Sequence, residues 1–273
     1  MITQQYEHHL DLRQDKLCPF KFKSCTDVYN TVCNWHHNIE LLLVTSGEGR
    51  IQYGSDDFSI KEHDMITVNS EVLHRIYSAS GISFTYVLID ESFCIQNGLE
   101  TRSRCFERLF TSESLENTLL NAQRIYDEYQ INQSPINTAR LRCAALNLVI
   151  ELCAHHTSQP QKSTSAHSMS EKYVKKALEY IGEHCAEPIS LEDVARICGI
   201  TKYHLVREFK KHTGQTVFVY INVLRCKKAE LCILRGMTVT EAARESGFES
   251  PSYFSRTYKK LMGRSPSSEK ESR

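Results

Sequence analysis

Residues 190–200 read Ser190-Leu191-Glu192-Asp193-Val194-Ala195-Arg196-Ile197-Cys198-Gly199-Ile200, and residues 238–248 read Thr238-Val239-Thr240-Glu241-Ala242-Ala243-Arg244-Glu245-Ser246-Gly247-Phe248. These two stretches decide the fold, because they are one pattern written twice. Ala195, Arg196 and Gly199 recur as Ala243, Arg244 and Gly247 at an offset of 48. Further on, Arg207, Lys210, Lys211 and Gly214 recur as Arg256, Lys259, Lys260 and Gly263 at an offset of 49. One inserted residue, in the turn around Glu249, separates the two offsets. So many matches mark a duplicated structural unit. Each copy opens on a helix start signal: Ser190 with Asp193 three residues on, and Thr238 with Glu241, both resembling capping boxes. Each short helix then meets a Gly, which takes the left-handed conformation that ends a helix without steric cost. A second cap follows, Thr201 in one copy and Ser250 in the other, with Pro251 at the first helical position, where its missing N–H costs nothing.

Two short helices joined by a tight Gly-containing turn make a helix-turn-helix, whose second helix enters the major groove of DNA. Between the copies, Gln215 to Arg235 carries Val219, Val223, Ala229 and Leu231 to Leu234 in a helix-like apolar pattern. A helix of about 20 residues spans ~30 Å, close to the ~34 Å between successive major grooves on one face of B-DNA. One chain could therefore present two recognition helices to adjacent groove segments.

Residues 173 to 266 resemble the DNA-binding domain of the AraC/XylS transcription regulators. The resemblance is carried by Ile189-Ser190-Leu191-Glu192-Asp193-Val194-Ala195, by His204 through Gly214, by Arg225 with Ala229, and by Gly247 through Arg256. It covers about a third of the chain. One departure is that the family closes with Ser-Pro, two residues, then Tyr-Arg, whereas here Ser265-Pro266 runs into Ser267-Ser268-Glu269-Lys270.

At 273 residues two domains are expected. The net charge of zero hides an asymmetry. Residues 1–171 carry 14 Lys and Arg against 21 Asp and Glu, a net of −7, while residues 172–264 carry 17 against 10, a net of +7. A basic domain joined to an acidic one fits a nucleic-acid binder with a separate sensor. Eleven cysteines are scattered with no C-x-x-C pair, so a zinc ribbon or thioredoxin-like site has no support. The start, Met1 to Asp15, is polar and no apolar run is long enough to cross a bilayer. A reducing cytoplasm and no membrane partner are expected.

Residues 16–95 change character. Leu41 to Val44, Arg50 to Tyr53, Phe58 to Ile60, Met65 to Val68 and Phe84 to Ile89 are short β-branched or aromatic runs divided by turn residues, including Thr45-Ser46-Gly47-Glu48-Gly49. That rhythm predicts a β-sandwich or barrel. The stretch also resembles the cupin-like sensor domain of AraC-type regulators, through His36-His37-Asn38-Ile39-Glu40, Gly47, His63-Asp64-Met65-Ile66 and His74. Metal-binding cupins carry two His two apart on a strand. Here they are adjacent, and alternating side chains point only one inward. At most His36, Glu40 and His74 converge, so neither a metal nor another cofactor is expected. A pocket for a small polar metabolite is the better reading, with Trp35, His36, Glu40, Arg50, Tyr53, His74 and Tyr86 as candidate lining residues. Taken singly, each fits an ordinary structural place better than a ligand contact.

Leu115, Leu119, Ala122, Tyr126 and Tyr129 form one helical stripe, Pro135 breaks the chain, and Leu141, Ala145, Leu148 and Leu152 form a second. The stripes fit packing on the barrel or against a second subunit, and the resemblance implies that such a pair can serve a homodimer. Thr157 to Ser168 has no large apolar residue and reads as a flexible linker. The expected organisation is therefore α+β. Residues 1–156 form a cupin-like β-barrel with following helices, 157–169 a linker, and 170–273 an all-α domain of two helix-turn-helix units joined by a helix.

With Leu205 and Phe209 inward, Lys202, Tyr203, Val206, Arg207 and Lys210 are the candidate DNA contacts of the first recognition helix. Tyr203, Val206 and Arg207 match the family's base-facing positions, and Arg pairs in bidentate fashion with guanine. On the second, Phe254 is core and Tyr253 partly inward, leaving Ser252, Ser255, Arg256 and Lys259. The lysines suit phosphate, which sets affinity rather than sequence choice. The equivalent arginines, Arg207 and Arg256, could one or both make structural ion pairs instead, and Arg207 is favoured over Arg256 for DNA contact. The reading is a ligand-responsive transcription regulator of the activator type, not an enzyme. Its expected partners are a double-stranded DNA operator, a small-molecule effector of sugar type and RNA polymerase. Coupling could run through the 115–156 helices, the linker or the arm before Lys16. The competing readings are a cupin metalloenzyme fused to a DNA-binding module and a constitutive DNA-binding protein with a purely dimerising barrel.

Overall fold

The chain folds into two compact units, seen in a computed structural model that describes residues 20–54, 56–101, 103–158 and 169–270. The arm before Lys16 and residues 159–168 of the expected linker lie outside the described residues.

The first unit is built on five longer pieces of strand: β1 (Phe20–Asn30), β2 (Ile39–Tyr53), β3 (Asp56–Lys61), β4 (Met65–Val68) and β5 (His74–Ile89). A short helix α1 (Glu91–Gln96), two-residue strands β6 (Cys105–Phe106) and β7 (Leu109–Phe110), helices α2 (Glu113–Ile131) and α3 (Pro135–His155), and strand β8 (Thr157–Ser158) follow. The antiparallel sheet runs β1-β5-β2-β4-β7 with β3 also on β2, and β6 pairs with β8 separately. Thr157 and Ser158, read from sequence as the start of the linker, are thus held in strand pairing with Phe106 and Cys105.

The turn expected at Thr45 to Gly49 is instead a bend inside one strand. Pairing of β2 with β5 slips between Val44 and Ser46 and again between Gly47 and Arg50. Such bulges bend a strand and increase its twist. Gly47 is needed at the corner: its φ is +82°, and a Cβ there would lie 2.7 Å from the Gly81 carbonyl oxygen. The slips also change which side chains face in. Before the bend Leu42 and Val44 enter the inner core; after it Ile51 and Tyr53 do. The sheet curls so that residues from both halves of β2 meet Ile66, Val68, Phe84, Tyr86 and Leu88 in one barrel-like interior.

The outer face of the sheet carries a second core. Leu41, Leu43, Met65 and Val87 meet Leu115, Leu119, Ala122 and Tyr129 of α2 and Leu141, Ala145, Leu148 and Leu152 of α3, all buried, with Tyr126 half-buried beside them. The two helical stripes therefore pack on the sheet, which settles the choice the sequence left open. Pro135 does not interrupt a helix; it starts α3 behind the cap Ser134.

The second unit holds α4 (Met169–His184), α5 (Leu191–Cys198), α6 (Lys202–Thr213), α7 (Val217–Leu234), α8 (Val239–Glu245), α9 (Pro251–Met262) and a final 3-10 turn, Pro266–Lys270. Helix α4 packs on α5 and α6, and α7 packs on α8 and α9. The apolar pattern expected on α7 is buried only in part, at Ala229, Cys232 and Ile233. Val219 and Leu234 are exposed, whereas Val217, Tyr220, Ile221, Leu224, Cys226, Ala229, Cys232 and Ile233 are buried. A helix that supports a helix-turn-helix at each end is covered on more than one side, so no single stripe describes it. Its 18 residues span about 27 Å. Among the described residues no helix is long and apolar enough to cross a membrane.

Candidate DNA-binding and ligand-binding sites

The helix-turn-helix pairs form for local reasons that can be named. Ser190 caps α5 by accepting from the Asp193 amide, and Gly199 ends it at φ 70°. Thr201 caps α6, accepting from His204 N at 3.3 Å, and Gly214 ends it at φ 68°. In the second pair Thr238 and Glu241 make a reciprocal capping box. Of the two boxes expected, this is the complete one, since Ser190 accepts from the Asp193 amide but the Asp193 carboxylate accepts from the Ser190 hydroxyl. Helix α8 ends on Ser246, with Gly247 one residue beyond at φ 86°. Ser250 caps α9, with Pro251 in its first turn.

These ends leave one face of each second helix for solvent. Leu205 and Phe209 are fully buried under α6, and Phe254 and Tyr258 under α9. Lys202, Tyr203, Val206, Arg207 and Lys210 are all exposed, Tyr203 at 79 %. So are Ser252, Ser255, Arg256 and Lys259. Tyr253, expected partly inward, is 47 % exposed; its hydroxyl accepts from Asn222 Nδ2 at 3.0 Å while its ring touches Phe248.

The two equivalent arginines differ. Arg207 donates from Nε to Glu208 Oε1 at 2.9 Å and lies 3.0 Å from His204 Nδ1. That hydrogen bond from Arg207 holds the Glu208 carboxyl below its ordinary range. Arg256 has no side-chain hydrogen bond or ion pair among the described residues. Of the two, it is Arg207, the one favoured from sequence, that makes a local ion pair. Lys202 also has a partner, Glu192 Oε1, at 2.9 Å.

Arg225, quoted above only as part of a resemblance, has a definite place. From the middle of α7 it donates to the carbonyls of Cys185 at 2.6 Å and Glu187 at 2.8 Å, and its guanidinium lies 5.9 Å from the centre of the Phe248 ring. It ties the turn before the first pair to the turn of the second. Gly247 approaches the same turn so closely that a Cβ would fall 2.5 Å from the Ala186 carbonyl oxygen.

In the sheet unit, three of the seven candidate ligand residues converge. His36 Nε2 is 2.9 Å and His74 Nε2 3.1 Å from the same Glu40 oxygen, Oε2. All three side chains are buried. Burial alone would raise the Glu40 pKa, but the adjoining His74 and His36 imidazoles outweigh it and hold the group at about 2. His36 lies in the irregular segment before β2, just ahead of a bend at His37 and Asn38, rather than within a strand, so strand alternation is not what turns it inward. Its Nδ1 bonds to the Asn38 carbonyl, which fixes the ring, and His37 is left exposed.

Tyr53 stands opposite His74 across the β2–β5 ladder and is buried, as is Tyr86. Burial raises the Tyr53 pKa, and its hydroxyl accepts from both the backbone N and Nδ2 of Asn69. Trp35 is half-buried and meets His37 edge to face. Arg50 does not belong to this group. It is exposed and held by Asp57 and Ser59. Residues three apart on a strand face opposite ways, so Arg50 points out where Tyr53 points in. Asn69 and Arg108, whose guanidinium lies 5.0 Å from the centre of the Tyr53 ring, were missed; pairings so distant in sequence leave no local signal.

A unit with two capped, outward-facing helix-turn-helix pairs, beside a strand-built unit with a buried polar cluster, defines a two-domain DNA-binding regulator. Comparison with known proteins agrees. The AraC-like ligand binding domain family matches residues 24–149, and a helix-turn-helix domain family matches 194–272. The chain belongs to the AraC family of transcription regulators. It is 25% identical over 275 residues to the HTH-type transcriptional regulator YfiF of Bacillus subtilis, covering 96% of this chain and 86% of that protein. It is 28% identical over 107 residues to the xylose operon regulatory protein of Escherichia coli, covering 39% of this chain and 27% of that protein. The solved structure of ToxT from Vibrio cholerae shares the fold, with a TM-score of 0.50 at 18% identity, covering 92% of this chain and 97% of that one.

Proposed function

We propose that this regulator reads its operator through α6 and α9 and is controlled by a small polar metabolite bound in the sheet unit. The division would follow residues 1–156, a linker at 157–169, and 170–273. On α6, Tyr203, Val206 and Arg207 meet base edges while Lys202 and Lys210 meet phosphate. On α9, Ser252, Ser255 and Arg256 meet base edges and Lys259 phosphate. The observation that carries this reading is the exposure of one polar and cationic face on each capped second helix, over fully buried Leu205, Phe209, Phe254 and Tyr258.

The effector is of the sugar class, bound by His36, Glu40, Tyr53, His74 and Tyr86, with Trp35 at the rim. Buried imidazoles, a carboxylate and aromatic rings suit hydroxyl-rich ligands. The match to the xylose operon regulatory protein supports that class, though 107 residues are too few to cover both units. The protein works by binding rather than catalysis, in the cytoplasm, and activates by contact with RNA polymerase. A homodimer forms through the outer faces of α2 and α3, which leave Leu120, Ile136 and Ile150 exposed, Ile150 on a groove of about 820 Å³ between the two helices.

The test is gel-shift titration on operator and random DNA at several salt concentrations, with a sugar panel added. Binding that is specific, salt-dependent and moved by one sugar is the expected result. Sequence preference indifferent to every sugar leaves DNA recognition standing and removes the effector class.

A further inference from the structure

The His36–Glu40–His74 cluster poses a bonding problem. His36 Nδ1 lies 2.9 Å from the Asn38 carbonyl oxygen and His74 Nδ1 lies 2.9 Å from the Val72 carbonyl oxygen. A carbonyl only accepts, so each Nδ1 carries the proton. In the neutral tautomer each Nε2 then offers a lone pair, and both lone pairs face one Glu40 oxygen, at 2.9 Å and 3.1 Å. In that arrangement three acceptors point at one another. A cation between the three groups satisfies all of them at once.

We propose that His36 Nε2, His74 Nε2 and the Glu40 carboxylate bind one divalent transition-metal ion, with zinc the best fit, leaving one coordination position for an outside donor. The inference rests on the sheet unit alone and does not require the sugar reading.

The donor set is the chemistry of such a site. Two imidazoles and a carboxylate suit zinc and its neighbours rather than calcium or magnesium, which take oxygen cages. The six ligand–ligand edges of a tetrahedral zinc are roughly 3.3 Å, and here the three donor atoms lie within 4.8 Å of one another. The imidazoles already have the outer partners that metal-bound histidines use, each Nδ1–H held by a carbonyl, which fixes ring orientation and strengthens Nε2 as a donor. The three groups come from three places: the irregular segment before β2, the start of β2 and the start of β5. Three protein ligands leave zinc short of four, the open arrangement in which an exogenous water or ligand oxygen binds.

The experiment uses the full-length protein, stripped with a chelator and refilled with Zn²⁺ or Co²⁺. Elemental analysis should give one metal per chain, and the Co²⁺ form a visible spectrum without thiolate charge-transfer bands. X-ray absorption on the wild-type zinc form should show two imidazoles and no sulfur, a readout that needs no variant. His36→Ala, His74→Ala and Glu40→Gln should each weaken binding at least tenfold, and His37→Ala, at the exposed neighbour, should leave it unchanged. Absence of stoichiometric metal, sulfur in the coordination shell, or full occupancy in a His36→Ala/His74→Ala variant would each overturn the proposal.

Discussion

The two helix-turn-helix pairs share a sequence pattern but not a mechanical situation. In the first pair the turn glycine, Gly199, is needed only for its backbone angle: φ is +70° and a Cβ there would meet nothing within 4 Å. In the second, Gly247 has φ +86° and presses on the Ala186 backbone. The first recognition helix holds its arginine in a local network of Glu208 and His204; the second leaves Arg256 unengaged among the described residues. Duplication thus kept the caps and the buried aromatics and let the environment divide the roles. The second turn became a packing surface, and the two recognition faces became unequally prepared for DNA.

The largest effect expected is a shared one. Phe209→Ala and Phe254→Ala should each cost about 3–5 kcal/mol of the helical unit's stability, measured by urea unfolding, because both rings are fully buried. A loss under about 1 kcal/mol at either would break the equivalence of the two cores. The glycines should then separate. Gly247→Ala should cost about 3 kcal/mol, from a disfavoured angle and a backbone clash together, and Gly199→Ala about 1 kcal/mol from the angle alone. Equal costs would show that the Ala186 contact relaxes freely.

On DNA, Arg256→Ala and Arg207→Ala should each lower operator affinity about tenfold, as for one bidentate base contact, with little loss on random sequence. Glu208→Gln should strengthen binding through Arg207 by a few fold, and no comparable release exists at Arg256. Equal losses on random DNA would reassign either arginine to phosphate. The smallest effect is at the caps. Thr238→Ala, which removes a complete capping box, should cost about 1 kcal/mol, and Ser190→Ala somewhat less. The reverse order would mean that the Ser190–Asp193 hydroxyl bond contributes more than the amide bond that completes the box.

The legible parts of the chain were those whose signals lie within one turn of helix. Caps at Ser190, Thr201, Thr238 and Ser250 all appeared where the residues placed them. The stripes of α2 and α3 were readable too, though not what they would cover. Helix α7 misled because a helix with partners on several sides has no single apolar face to find. Arg50 misled for a different reason: it lies three residues from Tyr53 on one regular stretch of β2, and alternation puts the two on opposite faces, so both could not line one pocket. Arg225 was visible as a residue and invisible as a tie, because its acceptors lie 40 and 38 residues away.

From its sequence alone this protein was already a duplicated, capped helix-turn-helix with a strand-rich partner, because hydrogen bonds spanning three or four residues and a repeat at 48–49 positions are local facts of the chain. Only the tertiary structure decided that His36, Glu40 and His74 meet around one carboxylate oxygen, that Arg50 stays outside, and that Gly247 has no room for a side chain. Each of those depends on strand register or helix packing between segments tens of residues apart, which the bend in β2 and the fit of α7 set for the molecule as a whole.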